Sequence, residues 1–230
     1  MFARKFTFVT LPLMIDLYTW ATPNGRKVSI ALEELGLDYR AHPVNIGDDE
    51  QFEPDFLAIS PNNKIPVIKD DDNGVVLFES GAILLYLADK AGAFSGVLFG
   101  EGSSKAHRWL VLQWLMLQMA GVGPMFGQTH HFHRYNPGIA PYAEDRFLAE
   151  THRLYGVLEQ RLSEEKFLAV DYSVADIATF PWVARWPWHS IDWNNYPNLA
   201  RWYRSIASRD AVQRGYNVPA SDQRIEMPDV

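Results

Sequence analysis

Residues 64–90 read KIPVIKDDDNGVVLFESGAILLYLADK. KIPVIKD and VVLFES have the β-branched, apolar composition of strands, and DDNG between them is a hairpin signal. From Ser80 onward, Ser80, Ile83, Leu84 and Leu87 fall at helical spacing. The stretch therefore predicts β-β-α. Two of its residues ask for a reason. Pro66 sits inside an apparent strand, where it cannot donate to a ladder. Either the strand is an edge, or Ile65-Pro66 is a cis bend that leaves the backbone of Ile65 free to pair with a peptide-like ligand. Glu79-Ser80 opens the helix. Ser80 reads as an N-cap, or as the hydroxyl of a carboxylate site at a helix N-terminus with Glu79 placed to take an ammonium. An amino-acid head group carries both charges. A serine-hydrolase elbow is excluded, because Phe78 stands where that motif needs glycine.

Upstream, MIDLYTW predicts a strand. Val28, Ala31, Leu32 and Leu35 then form a helical stripe, with Arg26, Lys27, Glu33 and Glu34 off it and Gly36 to end it. DYRAHPVNI predicts a second strand and FEPDFLAIS a short helical turn. The order is β-α-β-α-β-β-α over residues 14–92. At the first strand–helix junction stands ATPNG, residues 21–25. Polar side chains there face whatever binds at the helix N-terminus, and Pro23 suits the first helical position. A Gly/Ser-rich stretch predicts a linker over 93–104. Residues 105–217 carry helical stripes: Ala106, Trp109, Leu110, Gln113, Trp114 and Leu117; then Phe147, Thr151, Leu154, Leu158 and Leu162; then Leu199, Trp202, Tyr203 and Ile206. Ser173-x-x-Asp176 is a capping-box variant. Residues 1–13 predict an extension before the fold, and 218–230 a polar surface tail.

The chain of 230 residues has a net charge of -7 and no cysteine. Its acidity argues against binding nucleic acid or an anionic membrane, and no run approaches membrane-spanning length. Zero cysteines exclude disulfides, thiolate metal sites and a protein-borne thiol nucleophile, and fit a cytoplasmic protein. No metal is expected. His130, His131 and His133 lack a nearby carboxylate to complete a ligand set. They read as a polar wall of the cleft or of an interface. DDDNG lacks calcium-loop spacing and reads as a solvated turn. GVGPMFG is not a dinucleotide loop.

Taken together, ATPNG, the proline-bearing strand and Glu-Ser before the last helix resemble the thioredoxin-like domain of glutathione transferases. The helical half, with YSVADIATFPW, resembles their C-terminal domain. More closely, TPNG, SPNNKIP, LFESGAILLYL and GVGPMFGQTHHF resemble the bacterial Nu class, which is related to the globular domain of the fungal nitrogen-regulating prion protein. The resemblance spans residues 14–215. It implies an α/β thioredoxin-like domain followed by an all-α domain, usually in a homodimer. It also implies glutathione (GSH or GSSG) as cosubstrate. By this resemblance Thr22 and Asn24 flank the glutathione sulfur and Gln51 helps hold the glycine end. Lys64 and Ile65 precede the cis-proline, with Ile65 pairing through its backbone. Glu79 and Ser80 take the γ-glutamyl group. Gln113 and Arg146 complete the site, commonly from the partner chain. From the residues alone, Gln113 reads as a satisfied core glutamine, and Arg146 as a surface ion pair with Glu150.

With no thiol of its own, the chain must borrow one. A free thiol of pKa about 8.5 is only a few per cent thiolate at neutral pH. Lowering that by about two units needs roughly 2.7 kcal/mol of preference for the anion. A helix N-terminus (~0.3–2 kcal/mol) and one donor to a charged acceptor (~1.5–3 kcal/mol) suffice. Thr22 or Asn24 thus acts as a donor, not as a base. The implied activity is reduction of disulfides, extending to peroxides, or conjugation of an electrophile. Two alternatives stand beside it. One is a lyase or etherase acting on an aromatic glutathione adduct, with Trp109, Trp114, Trp182, Trp186 and Trp188 as a possible aromatic wall. The other is a non-catalytic regulatory protein on the same fold.

Overall fold

The computed structural model describes residues 14–92 and 105–229. The expected extension at 1–13 and linker at 93–104 lie outside the described residues. The first half runs β1 (Ile15–Thr19), α1 (Pro23–Leu35), β2 (Tyr39–Pro43), α2 (Pro54–Leu57), β3 (Val67–Asp70), β4 (Val75–Phe78) and α3 (Ser80–Lys90). A short 3-10 turn, Glu50–Phe52, precedes α2. The four strands form one sheet in the order β2-β1-β3-β4, with β1 and β2 parallel and the other pairs antiparallel. This is the thioredoxin-like arrangement. Ile15, Leu17 and Ile68 of the sheet pack with Val28, Ala31 and Leu32 of α1 and Ile83, Leu84 and Leu87 of α3 in one dry layer.

The second half is all helical: α4 (Lys105–Leu117), α5 (Gly123–Thr129), α6 (Pro141–Glu164), α7 (Val174–Val183), α8 (Pro197–Ala207) and α9 (Asp210–Tyr216). A π-helical turn at Gln118–Val122 joins α4 to α5, and a second at His130–Tyr135 extends α5, giving one continuous rod. Its His107–Tyr135 portion (29 residues) is long and apolar enough to cross a membrane by length and composition alone, which corrects the expectation that no run reaches that length. In the fold its buried residues Val111, Leu115, Val122 and Phe126 join the same core as Leu154 and Leu158 of α6 and Ile177 and Phe180 of α7.

Three further readings change. Pro66 lies just before β3, not within it, and β3 is an interior strand, so the edge-strand explanation fails; Ile65-Pro66 is cis. Arg26 and Lys27 are buried although they lie off the apolar stripe. The Arg26 guanidinium lies 3.6 Å from the centroid of the Tyr216 ring, and its Nε donates to Tyr216 O at 3.0 Å. That pair clamps α1 to α9, and burial pulls the Arg26 guanidinium down to about 10. The DDDNG turn is only partly solvated: Asp70 is buried and accepts from Tyr86 Oη and from Asp72 N, with Lys90 Nζ 2.9 Å away. Burial alone would push Asp70 up, but these bonds outweigh it and hold the carboxyl below its usual value. The C-terminal segment lies at the surface, most of it exposed or half-buried, and is tied to the helical domain. Tyr203 Oη donates to Glu226 O at 2.8 Å and Arg185 Nη2 to Gln223 Oε1 at 2.7 Å.

Candidate functional site

The site begins at Thr22. Its extended backbone stops the chain ahead of Pro23, and its Oγ1 accepts from Gly25 N at 3.2 Å, capping α1. A hydroxyl that accepts in this way keeps its own hydrogen for another partner. Gly25 is required by close approach: a Cβ there would overlap Trp20 O and Thr19 Oγ1. Asn24, half a turn on, accepts from Trp182 Nε1 at 3.1 Å. An indole N–H only donates, so the amide must turn Oδ1 to Trp182, and Asn24 Nδ2 is left as the outward donor. The indole of Trp182 is held in turn. It packs over Gly123 and Gly127, and His130 stacks on it at 5.6 Å between ring centroids. His130 Nε2 lies 2.8 Å from His189 Nε2, and His189 Nδ1 lies 2.9 Å from Tyr155 Oη. Burial pushes His130 down to about 3 and His189 well below its ordinary value, so this layer is neutral at physiological pH.

Two neighbouring cavities share Asn24, Lys64, Glu79 and Met119 in their walls. The smaller, about 150 Å³, is lined by Ser60, Lys64, Ile65, Pro66, Glu79 and Ser80 as well as Asn24. Ser60 Oγ donates to Lys64 O at 2.9 Å and accepts from Lys64 N at 3.3 Å, which fixes the bend before cis-Pro66. Ladder pairing of β3 starts only at Val67, so Ile65 lies outside it. Glu79, not Ser80, is the N-cap of α3: it has a positive φ of 71°, and Ser80 is the first helical residue. The larger cavity, about 1020 Å³, adds Lys27, Gln118, His131, Phe132 and Trp182. A donor-rich α1 N-terminus, an unpaired peptide edge at Ile65 and a Glu-Ser helix start thus face one cleft.

A family model for the glutathione S-transferase N-terminal domain matches residues 21–90, and one for the C-terminal domain matches residues 132–210. The chain is 50% identical over 205 residues to the disulfide-bond oxidoreductase YfcG of Escherichia coli, covering 86% of this chain and 93% of that one. The chain belongs to the glutathione S-transferase superfamily. Among solved structures, a glutathione transferase of Burkholderia graminis with two glutathione molecules bound per subunit superposes with TM-score 0.83 at 42% identity, covering 92% of this chain and 91% of that one. One from Pseudomonas putida with one glutathione disulfide bound per subunit gives 0.84 at 41%, covering 93% and 95%.

Within this glutathione S-transferase, Asn24, Lys64, Ile65, Glu79 and Ser80 converge on the cleft. Thr22 stands one residue before Pro23, half-buried, and lines neither cavity. Gln51 also lies outside both: it sits on the 3-10 turn, where its Nε2 donates to Asp49 Oδ1 at 3.3 Å. Gln113 is exposed, not buried in an apolar stripe. Arg146 is exposed and lines a separate cavity with Tyr142, Phe147 and Met125, and Glu150 pairs with Arg153 at 2.7 Å instead. The stripe assigned to α4 has the wrong phase: Val111, Leu115, Gln118 and Val122 face inward, while Trp109 is 63% exposed. RWLVLQWLML is apolar nearly all round, so periodicity alone does not choose its face. The buried glutamine is Gln118. His133 has a carboxylate neighbour after all, Glu144 at 2.9 Å, but no group of three potential metal ligands occurs among the described residues. Sequence reasoning missed Lys27 and Gln118 in the lining of the cleft, and offered Trp182 only as part of an aromatic wall. The signal for the first two was a charge beside the capping motif and an amide at i+7 from Val111.

Proposed function

We propose that this chain is a glutathione-dependent disulfide-bond oxidoreductase of the Nu class, acting on a small disulfide with two glutathiones. The observation that carries this reading is the α1 N-terminus in a protein without cysteine: Asn24 lines the cleft with its Oδ1 taken by Trp182, which leaves Nδ2 as a donor, and Thr22 Oγ1 accepts from Gly25 N and keeps its own hydrogen. The bound glutathione supplies the sulfur. Its thiol loses a proton to solvent, and the thiolate sits against Thr22 and Asn24 at the positive end of α1. The thiolate attacks one sulfur of the substrate disulfide. That S–S bond breaks, a mixed disulfide with glutathione forms, and the departing thiolate takes a proton. A second glutathione thiolate attacks the glutathione sulfur of the mixed disulfide, releasing the second thiol and glutathione disulfide. Two glutathiones are oxidised and one disulfide is reduced. The bacterial relatives that hold two glutathiones or one glutathione disulfide per subunit support this stoichiometry.

The γ-glutamyl group docks at the start of α3, its carboxylate on Ser80 and its ammonium near Glu79. The cysteinyl backbone pairs with Ile65, Lys64 stands at the same cleft, and Gln51 reaches the glycine end. The assembly is a homodimer. Its interface is the exposed face that carries Trp109, Gln113 and Met116 of α4 with Tyr142 and Arg146 of α6, which brings Gln113 and Arg146 to the partner's site. A cytoplasmic setting, where glutathione keeps thiols reduced, suits a chain with no cysteine. No observation favours the lyase or regulatory readings. The test is turnover of a model disulfide with glutathione, for wild type and for Thr22→Ala/Asn24→Ala. The reading predicts a steep loss in the variant, and undiminished turnover contradicts it.

A further inference from the structure

One charged group in the cleft has no part in this chemistry. Lys27 lies one helical turn after Asn24 on the same face of α1, and it is 1% exposed. Its Nζ reaches beneath the start of α3. It donates to Gln118 Oε1 at 2.7 Å, to Ser80 Oγ at 3.3 Å and to Met119 Sδ at 3.4 Å. All three acceptors are uncharged, whereas a buried ammonium ordinarily takes a carboxylate partner. The charged groups around it are few. Glu79 stands at the entry to α3, Lys64 and His131 line the same cavity from other walls, and Arg26 is turned to Tyr216 on α9. On α7, Asp176 is engaged by Trp202 and Ser173.

An ammonium only donates, and this decides how its neighbours are oriented. Ser80 Oγ accepts from Lys27, and its own hydrogen has only a long contact to Met119 Sδ at 3.8 Å, which an anion in the cleft displaces. Gln118 must present Oε1 to Lys27, which leaves Nε2 as a donor. That Nε2 is buried, in a residue 0% exposed that lines the cavity, and it has no acceptor among the described residues. We propose that Lys27 is a positioning residue for the γ-glutamyl carboxylate of glutathione: it sets Ser80 and Gln118 as donors toward that anion and stands behind them as its counter-charge. This rests on the glutathione reading above. Burial pulls the ammonium down to about 7, and Glu79 offsets only part of that. A carboxylate docked beyond Ser80 pulls it back up, so binding takes up a proton in the range just above neutrality.

The test is calorimetry of wild type with S-methylglutathione, whose sulfur cannot ionise, in buffers of different ionisation enthalpy. The same titration uses its counterpart with 4-aminobutyryl in place of γ-glutamyl, which lacks only the carboxylate. The proposal predicts proton uptake with S-methylglutathione above neutral pH, fading below it, and none with the counterpart. No uptake, or equal uptake with both, overturns it. Lys27→Met should weaken S-methylglutathione roughly 10–100-fold and leave the counterpart unchanged; equal weakening of both is the signature of a merely structural lysine and overturns the proposal. If wild type binds neither compound, the glutathione reading itself has failed and this proposal with it.

Discussion

Helices α1 and α7 both start at a hydroxyl, and their caps differ. Ser173 is buried, its Oγ accepts from Ala175 N at 3.3 Å, and Asp176 returns the bond from Ser173 N at 3.0 Å. Asp176 also accepts from Leu168 N and Trp202 Nε1, so each of its oxygens is engaged. Thr22, by contrast, makes a single capping bond at a half-buried position, and Asn24 keeps its amide hydrogens toward the cleft. A helix N-terminus whose donors and acceptors are all paired inside the protein holds the fold together. One that leaves donors unpaired at a cleft can hold an anion.

The largest expected effect falls on the closed cap. Asp176→Ala strands the N–H groups of Leu168, Ser173 and Trp202 in the core, each at about 1–3 kcal/mol. We expect a loss of roughly 3–5 kcal/mol in denaturant unfolding, and any active folded fraction should keep wild-type KM for glutathione. The mirror-image change at the open cap, Thr22→Ala/Asn24→Ala, should lower disulfide turnover by about 10–100-fold through loss of charged-acceptor donors. It should change unfolding free energy by only about 1 kcal/mol. If the double variant instead unfolds readily, the open cap is structural too and the contrast collapses.

A pH series sharpens the contrast from a third side. The folded-state value of Lys27 is depressed, from 10.5 to about 7. Between those values the unfolded chain binds a proton that the folded chain has released, so stability of the ligand-free protein rises with pH across that window and is lost as pH falls through about 7. Lys27→Met should flatten that rise, as read by urea midpoints at several pH values. The smallest effect belongs to Trp182→Phe. It removes the donor that orients Asn24 and should lower turnover a few-fold, about 1 kcal/mol, with glutathione affinity little changed. A larger loss of affinity than of turnover would show that Trp182 serves ligand packing instead.

Much of the fold was legible because its signals are local. The DDNG hairpin, the stripes of α6 and α8, and Thr22 before Pro23 each follow from a few neighbouring residues. The cap at Ser173 was readable for the same reason. The lining of the candidate cleft was legible only where it uses such punctuation: Asn24, Ile65, Glu79 and Ser80. Lys27 was not, because a lysine on a helix reads as solvated until a second helix is laid over it. Gln118 was not, because α4 is apolar on both faces, and only the neighbouring α6 and α7 select the inward one. Gln113 and Arg146 illustrate the converse. Both side chains are exposed in the single chain, on the face proposed above as the dimer interface.

The central claim is that the open N-terminus of α1 stabilises a borrowed thiolate. Its most direct test is the pH titration of the ultraviolet thiolate absorbance of glutathione bound to wild type and to Thr22→Ala/Asn24→Ala. A bound thiol that ionises about two units below its free value of about 8.5, and that returns toward that value in the variant, is the predicted result. Equal thiol pKa values in the two proteins, with glutathione bound to both, would contradict it.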